Sequence, residues 1–352
     1  MAQYDYDLGV LGGGSAGLTI TAGAAQLGAK TLLVEQEDRL GGDCLHYGCV
    51  PSKTLIRTAH VYHLVTQTPR FGLPALEPKP VEFKDVAHRI KSVIDTIQEH
   101  DSAERFCRLG ANVLFGSPTF IDPHTIRLNG ESHSAKTWVI ATGSSPAIPP
   151  IEGLDRTPHI TNKEIFYLEK LPDSMAVLGA GPIACEMAQA FARLGTHVTV
   201  IQRNTQILSK EDPDMADELM RVMQAEGVEF HLGTSLRRVH DLGGQREVVF
   251  TKGDDPTEIA VQAETLLVAL GRTPNLDGLG LENIGVEYDR KGLTLDARLR
   301  TTQKHIYGAG DVTGDYLFTH AAGYEGGIVI RNAIFHLPSK VDYTSMPWCT
   351  YT

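Results

Sequence analysis

One arrangement occurs twice in this chain and narrows its fold more than any other feature. Tyr6-Asp7-Leu8-Gly9-Val10-Leu11 runs into Gly12-Gly13-Gly14-Ser15-Ala16-Gly17, after which apolar residues recur with helical spacing as far as Leu27. A second apolar run, Thr31-Leu32-Leu33-Val34-Glu35, then ends in an acid. The same grammar returns at Met175-Ala176-Val177-Leu178, Gly179-Ala180-Gly181-Pro182-Ile183-Ala184, a periodic stretch to Leu194-Gly195, and the run from His197 to Ile201. Strand, glycine turn, helix and strand make a βαβ unit. Two copies this far apart are repeated domains rather than the short period of a solenoid. The fold class expected is therefore α/β, with two Rossmann-like dinucleotide-binding domains.

Each glycine has a physical task in such a loop. Gly12 permits the tight turn, Gly14 lets backbone approach a pyrophosphate, and Gly17 lets the helix pack close on the strand. The helix start adds amide donors and positive partial charge. Glu35 stands where an acid bonds the hydroxyls of an adenosine ribose. The alternative is a glycine-rich turn with no ligand. In the second loop Ala184 replaces the third glycine, and the strand after it ends Val200-Ile201-Gln202-Arg203. Gln202 stands where an acid would select NAD, and Arg203 beside it suits the extra phosphate of NADP. A solvated loop cation is the other reading of Arg203.

Composition bounds the setting. The 352 residues suffice for roughly two to three domains. With 42% hydrophobic and 21% charged residues the chain is not of the disordered class. A net charge of -11 argues against a nucleic-acid or anionic-membrane surface. The first residues carry no secretory pattern, and no window offers the roughly 18 uninterrupted apolar residues of a membrane span. A cytoplasmic location is the expectation. Five cysteines are too few for a disulfide-stapled scaffold, so closely spaced ones read as catalytic or metal-binding.

Two of them are closely spaced, in Gly41-Gly42-Asp43-Cys44-Leu45-His46-Tyr47-Gly48-Cys49-Val50-Pro51-Ser52-Lys53. Pro51 suits the first helical position, which sets Cys49 beside a helix N-terminus. That environment favours the thiolate, the reactive form of the side chain. A zinc site needs four ligands, and Cys107, Cys185 and Cys349 show no companion pairing, so no metal ligands are assigned. His46 reads as a loop residue. A pair of inert core thiols is the remaining alternative.

Cys44-x4-Cys49 with Val50-Pro51-Ser52-Lys53, set between two dinucleotide loops, resembles the class I pyridine nucleotide–disulfide oxidoreductases, and the resemblance covers almost the whole chain. Ala141-Thr142-Gly143, Gly271-Arg272-Thr273-Pro274-Asn275, Gly308-Ala309-Gly310-Asp311 and Thr319-His320-Ala321-Ala322 through Glu325-Gly326 extend it. Ile56-Arg57-Thr58-Ala59-His60, Glu211-Asp212-Pro213 and Pro347-Trp348-Cys349-Thr350-Tyr351-Thr352 lean toward its mercuric-reductase-like branch. The resemblance implies FAD as cofactor and NADPH or NADH as reductant. It implies that Gly12, Gly14, Ser15, Ala16, Gly17, Glu35, Gly42, Asp43, Lys53, Thr142, Gly143, Asp311 and Ala322 hold the FAD. Gly179, Gly181, Ala184, Arg203 and Gly271 would hold the nicotinamide nucleotide.

The same resemblance implies a redox disulfide between Cys44 and Cys49, with Cys49 next to the flavin and Cys44 outermost. Lys53 would stand near the flavin N5 and pair with Glu186, since a buried cation needs a counter-charge. A plain helix-surface acid is the other reading of Glu186. The function implied is reduction of a small-molecule or protein disulfide. Mercuric-ion reduction is a second reading, although no vicinal cysteine pair lies within these residues, and a non-catalytic redox-sensing or binding flavoprotein is a third.

The domain expectation is a first part of an FAD-binding domain over 1–150, an NAD(P)-binding domain over 151–272 and a second FAD-binding part over 273–340. Residues 341–352 would open a truncated C-terminal dimerisation domain. Family members place a catalytic His and Glu there, donated by the partner subunit, so residues 1–352 are expected to bind FAD but to exchange disulfides poorly, and the family homodimer is not expected of them. At the level of elements, one long helix is expected from Val86 to Cys107 and an opening strand from Asp342.

Overall fold

The computed structural model describes residues 4–352. The chain divides into two compact units, one of Met1–His46, Asp95–Ser145 and Arg272–Trp348, the other of Tyr47–Ile94, Pro146–Gly271 and Cys349–Thr352.

In the first unit the strand grammar becomes a parallel sheet. β1 (Tyr6–Leu11) lies between β2 (Thr31–Glu35) and β6 (Glu131–Ile140), with β3 (Ala111–Phe115) beyond β2. Antiparallel β4 (Thr119–Asp122) and β5 (Thr125–Leu128) join the same sheet through β6. β6 is long enough to serve two partners: residues 131–134 pair with β5, and Ala135 onward pairs with β1. A short strand near the end of the chain, β16 (Ile306–Gly308), closes on β6 in parallel. Val10, Leu11, Leu32, Leu33, Val139 and Ile140 are buried in this sheet, as continuous apolar runs covered on both faces require. Helix α1 (Ser15–Gln26) packs against the last helix, α8 (Thr319–Ala333).

The second unit carries the other βαβ repeat. β8 (Ser174–Leu178), β9 (His197–Gln202), β10 (Glu229–Leu232) and β14 (Thr265–Val268) form a parallel sheet in the order β10-β9-β8-β14. Helix α6 (Pro182–Leu194) joins β8 to β9, and α7 (Pro213–Ala225) joins β9 to β10. An antiparallel sheet of β11 (Thr234–Asp241), β12 (Arg246–Lys252) and β13 (Asp255–Ala263) is inserted before β14. Val239, Val248 and Phe250 of this insert bury against Ala176, Leu178 and Ile201 of the parallel sheet. In β13 Ile259, Val261 and Ala263 alternate with more exposed residues, whereas Val248-Val249-Phe250 of β12 form a continuous buried run. A two-stranded pairing of β7 (Ser144–Pro146) with β15 (Arg272–Pro274) completes the strands.

Three local expectations are corrected. The helix expected from Val86 to Cys107 is two helices, α4 (Phe83–Gln98) and α5 (Ala103–Arg108). Ser102 divides them, because its side chain caps the second by accepting from the Arg105 amide. The helix after the cysteine motif, α3 (Cys49–Thr66), begins two residues before Pro51. A proline fits anywhere in a first turn, since those amides have no intrahelical acceptor. Residues 342–352 form no strand; they run irregularly and are pinned by side chains. No helix among the described residues is long and apolar enough to cross a membrane.

Candidate functional site

The first unit presents its glycine loop at the carboxyl end of β1. Gly12 has φ +108, and a Cβ there would meet the Ala141 carbonyl oxygen at 2.3 Å, so only glycine fits the turn. A Cβ on Gly17 would come within 1.8 Å of the Gly12 carbonyl oxygen, which is how closely α1 approaches the strand. Helix α1 begins at Ser15 with Gly14 at its cap and no capping side chain. Its first amides therefore need an acceptor from elsewhere, and an anion is the natural one.

Opposite Gly14 lies Gly42, in the short helix α2 (Gly42–His46); a Cβ on Gly42 would stand 2.7 Å from the Gly14 Cα. Two bare backbones thus face each other across the loop. Gly310 closes the cradle, since a Cβ on it would touch the methyls of Ala16 and Ala322 at 3.3 and 3.6 Å. Glu35 is 9% exposed; one of its oxygens accepts from the Gly13 amide at 2.6 Å and the other from the Glu37 amide at 2.9 Å. A carboxylate has about four acceptor positions, so two remain for ribose hydroxyls. These observations fit a bound dinucleotide with its pyrophosphate over the α1 terminus.

A network that the sequence did not disclose surrounds Asp311. Ser144 donates its hydroxyl to the Asp311 carboxylate. Arg272 donates to the Ser144 hydroxyl at 2.7 Å and to its carbonyl at 2.8 Å, and it reaches Asp43 at 3.0 Å. Burial pushes the Asp311 carboxyl above the ordinary range, opposed by the Ser144 bond and the Arg272 charge. Asn275 fastens the neighbouring turn: it donates to the Thr142 carbonyl at 2.9 Å, while its own carbonyl accepts the Thr142 hydroxyl at 2.6 Å. Gly143, at φ +69, has nothing within 4 Å of where a Cβ would be. Arg272 and Asn275 both lie in a quoted motif, but their partners are far away in sequence.

The second unit repeats the loop with changes. Gly179 has φ +102, and a Cβ there would meet the Ala269 carbonyl oxygen at 2.4 Å, matching Gly12. Gly181 caps α6 without a side-chain bond, and the space above it is open. Ala184 is fully buried. At the end of β9 the Gln202 side chain accepts from the Arg203 amide at 3.1 Å, and the Arg203 side chain is exposed. Gly271 follows β14 at the same carboxyl edge of the sheet, the edge where ligands of such folds bind.

Helix α3 of this unit starts at Cys49, which is exposed, capped by Gly48 without a side-chain bond. Lys53 comes one helical turn later and so shares its face. Its ammonium lies 2.6 Å from Glu186 on α6; Glu186 is 5% exposed. The second Glu186 oxygen accepts from the Tyr351 amide at 2.9 Å, and the Tyr351 ring lies 4.7 Å below the ammonium. Tyr351 lies in the motif Pro347–Thr352, but its contact with Lys53 and Glu186 was not expected, because nothing local links it to α3. Next to Glu186, burial pushes the Cys185 thiol up to about 12, which makes it inert. Cys44 is half-buried in α2, four residues before the α3 cap Gly48.

Residues 6–326 match the family described as pyridine nucleotide-disulphide oxidoreductase. The chain is 35% identical over 356 residues to a mercuric reductase of Bacillus cereus, an alignment covering 99% of this chain and 55% of that protein. It is 32% identical over 362 residues to a dihydrolipoyl dehydrogenase of Bacillus subtilis (strain 168), covering 99% and 76%. Among solved structures, the HOCl-induced flavoprotein disulfide reductase RclA from Escherichia coli superposes with a TM-score of 0.82 at 27% identity, covering 96% of this chain and 72% of that one. The chain spans little more than half the length of the first of these mercuric reductases.

Proposed function

The chain belongs to the pyridine nucleotide–disulphide oxidoreductases, which use FAD and NAD(P)H, and from that premise we propose that it reduces a disulfide substrate through Cys44 and Cys49. The observation that carries this reading is the sulfur of Cys49 at an uncapped helix start, with the Lys53–Glu186 pair one turn below it. When bound, FAD supplies the two-electron link between the nicotinamide and the cysteine pair.

In this reading Gly12, Gly14, Ser15, Ala16, Gly17 and Glu35 hold the adenosine half of FAD. Gly42, Asp43, Thr142, Gly143, Asp311 and Ala322 line its remainder. Gly179, Gly181, Ala184, Arg203 and Gly271 hold the nicotinamide nucleotide, and Arg203 beside Gln202 favours NADPH. Lys53 keeps a positive charge beside the isoalloxazine, and Glu186 and the Tyr351 ring keep that ammonium in place. The start of α3 stabilises negative charge on Cys49.

In the dithiol form, the Cys44 thiolate attacks one sulfur of the substrate disulfide, and the first substrate thiolate leaves. Cys49 then attacks the Cys44 sulfur and releases the second thiolate, leaving Cys44 and Cys49 joined. The working protein is assigned to the reducing cytoplasm and, at full family length, to a homodimer. Subcellular fractionation and light scattering test these assignments.

A second reading is reduction of mercuric ion, favoured by the mercuric reductases among its relatives. Thiolates are the ligands such a soft ion selects.

Anaerobic titration of the flavin-loaded protein with NADPH decides between these. A long-wavelength thiolate-to-flavin absorption band is expected, and Cys49→Ser should abolish it. Steady-state NADPH oxidation with lipoamide, glutathione disulfide or Hg(II) then ranks the acceptors. No such band, together with acceptor-independent oxidation, would overturn both readings in favour of a non-catalytic flavoprotein.

A further inference from the structure

Glu325 is a carboxyl group with no evident reason to be where it is. It sits on α8 in the first unit, 0% exposed, among the apolar residues Ala322, Ile328 and Val329. The charged groups that bear on it are acids, Asp311 and Asp315. A buried carboxyl facing two other acids is costly and must be compensated by hydrogen bonds. Its bonds are specific. One oxygen accepts from the Gly310 amide at 2.6 Å, and the other from the Tyr343 hydroxyl at 2.6 Å.

Gly310 caps the single turn of 3-10 helix Asp311–Thr313, so the Gly310 amide fixes where Asp311 begins. Asp311 in turn receives the Ser144 hydroxyl and lies within reach of Arg272. Tyr343 is itself fixed. Its ring packs 4.9 Å from Tyr316 and 6.1 Å from Tyr324. The flanking amides of Val341 and Asp342 donate to the Ala297 carbonyl and the Tyr324 hydroxyl.

We propose that Glu325 and Tyr343 are positioning residues for FAD, holding the Gly310–Asp311 turn in its ligand-binding geometry from behind. Glu325 acts through the Gly310 amide, and Tyr343 acts through Glu325. This inference rests on the assignment of Asp311 to the FAD site made above.

The test is the rate of FAD release from the flavin-loaded protein, followed by the rise in flavin fluorescence on dilution. Glu325→Ala removes both short bonds and the long one from the Thr313 hydroxyl at 3.5 Å, and about thirty-fold faster release is expected. Tyr343→Phe removes one, and about five-fold is expected. Glu325→Gln should restore release to within about two-fold, because the amide accepts from Gly310 and donates to the Tyr343 oxygen. Release at the parental rate in Glu325→Ala and Tyr343→Phe overturns the proposal, and so does failure of the glutamine to rescue. If the alanine variant does not fold, Tyr343→Phe decides alone.

Asp311→Ala separates the two claims. If it releases FAD at the parental rate, the FAD assignment of Asp311 falls and takes this inference with it. If it alone speeds release, only the positioning role is overturned.

Discussion

The two glycine loops share one backbone solution, and three of the differences between their units have a steric or electrostatic cause. Gly12 and Gly179 occupy equivalent turns, each jammed against a carbonyl at the end of a neighbouring strand. Beside them, however, Gly13 is matched by Ala180. A Cβ on Gly13 would stand 3.0 Å from the Glu35 carboxylate and 2.6 Å from Leu40, whereas the second loop has Gln202 where the first has Glu35. Gly17 is matched by Ala184, whose methyl is buried in a real core, so α6 must start farther from its strand than α1 does. The third difference is at the strand end, where Gln202 takes the place of Glu35, a carboxylate already engaged by two amides, and the exposed Arg203 follows it. The first loop is thus closed tightly around an acid, and the second is looser and open to an anion.

The largest effect that would break this comparison is steric. Gly17→Ala drives a methyl into the Gly12 carbonyl and should cost about 3 kcal/mol or more, with loss of bound flavin. Ala184→Gly should cost less, about 1–2 kcal/mol, from helix propensity and one lost buried methyl. Urea unfolding monitored by flavin absorbance measures both, and equal losses would show that the loops are not differently packed.

The units also bury acids differently. Glu186 is paired with Lys53, whereas Glu325 pairs with no cation among the described residues, and burial raises its carboxyl from 4.5 to about 7. The folded state then holds this proton in a pH range where the unfolded chain has released it. Stability from this group is greatest below pH 4.5 and declines as pH rises toward 7. Asp311, also raised by burial, adds to the decline in the same direction. Between pH 5 and 8 a loss of about 2 kcal/mol is expected in the wild type, smaller in Glu325→Gln; identical urea midpoints at the two pH values would refute it.

The smallest effect concerns the open loop. Arg203→Glu should lower kcat/KM for NADPH about ten-fold (~1.4 kcal/mol) and leave NADH less affected. Equal losses with both nucleotides would make Arg203 a solvated cation after all.

Both βαβ repeats and the strands Thr31–Glu35 and His197–Gln202 were legible because local apolar runs and glycines at fixed offsets specify them. Glu35, Cys44 and Cys49 were singled out for the same reason, since each stands at a short distance from a turn or a helix start, whereas Lys53 and Asp311 were named only through the family resemblance. The break at Ser102 was missed because a cap is a single hydrogen bond inside an otherwise helical pattern. The contacts of Arg272 and Tyr351 and the Glu325–Tyr343 bond were missed because the partners lie on other elements.

The sequence alone determined the two dinucleotide loops and the cysteine motif, since backbone sterics and helix-end chemistry act within a few residues of the chain. Only the tertiary structure decided which buried charges are compensated, and by what. The Lys53–Glu186 pair was expected from the family resemblance and is present, but the meeting of Arg272 with Asp43 across a long stretch of chain was not. The stability of a charge away from water depends on the groups that folding brings around it, and no local pattern encodes them.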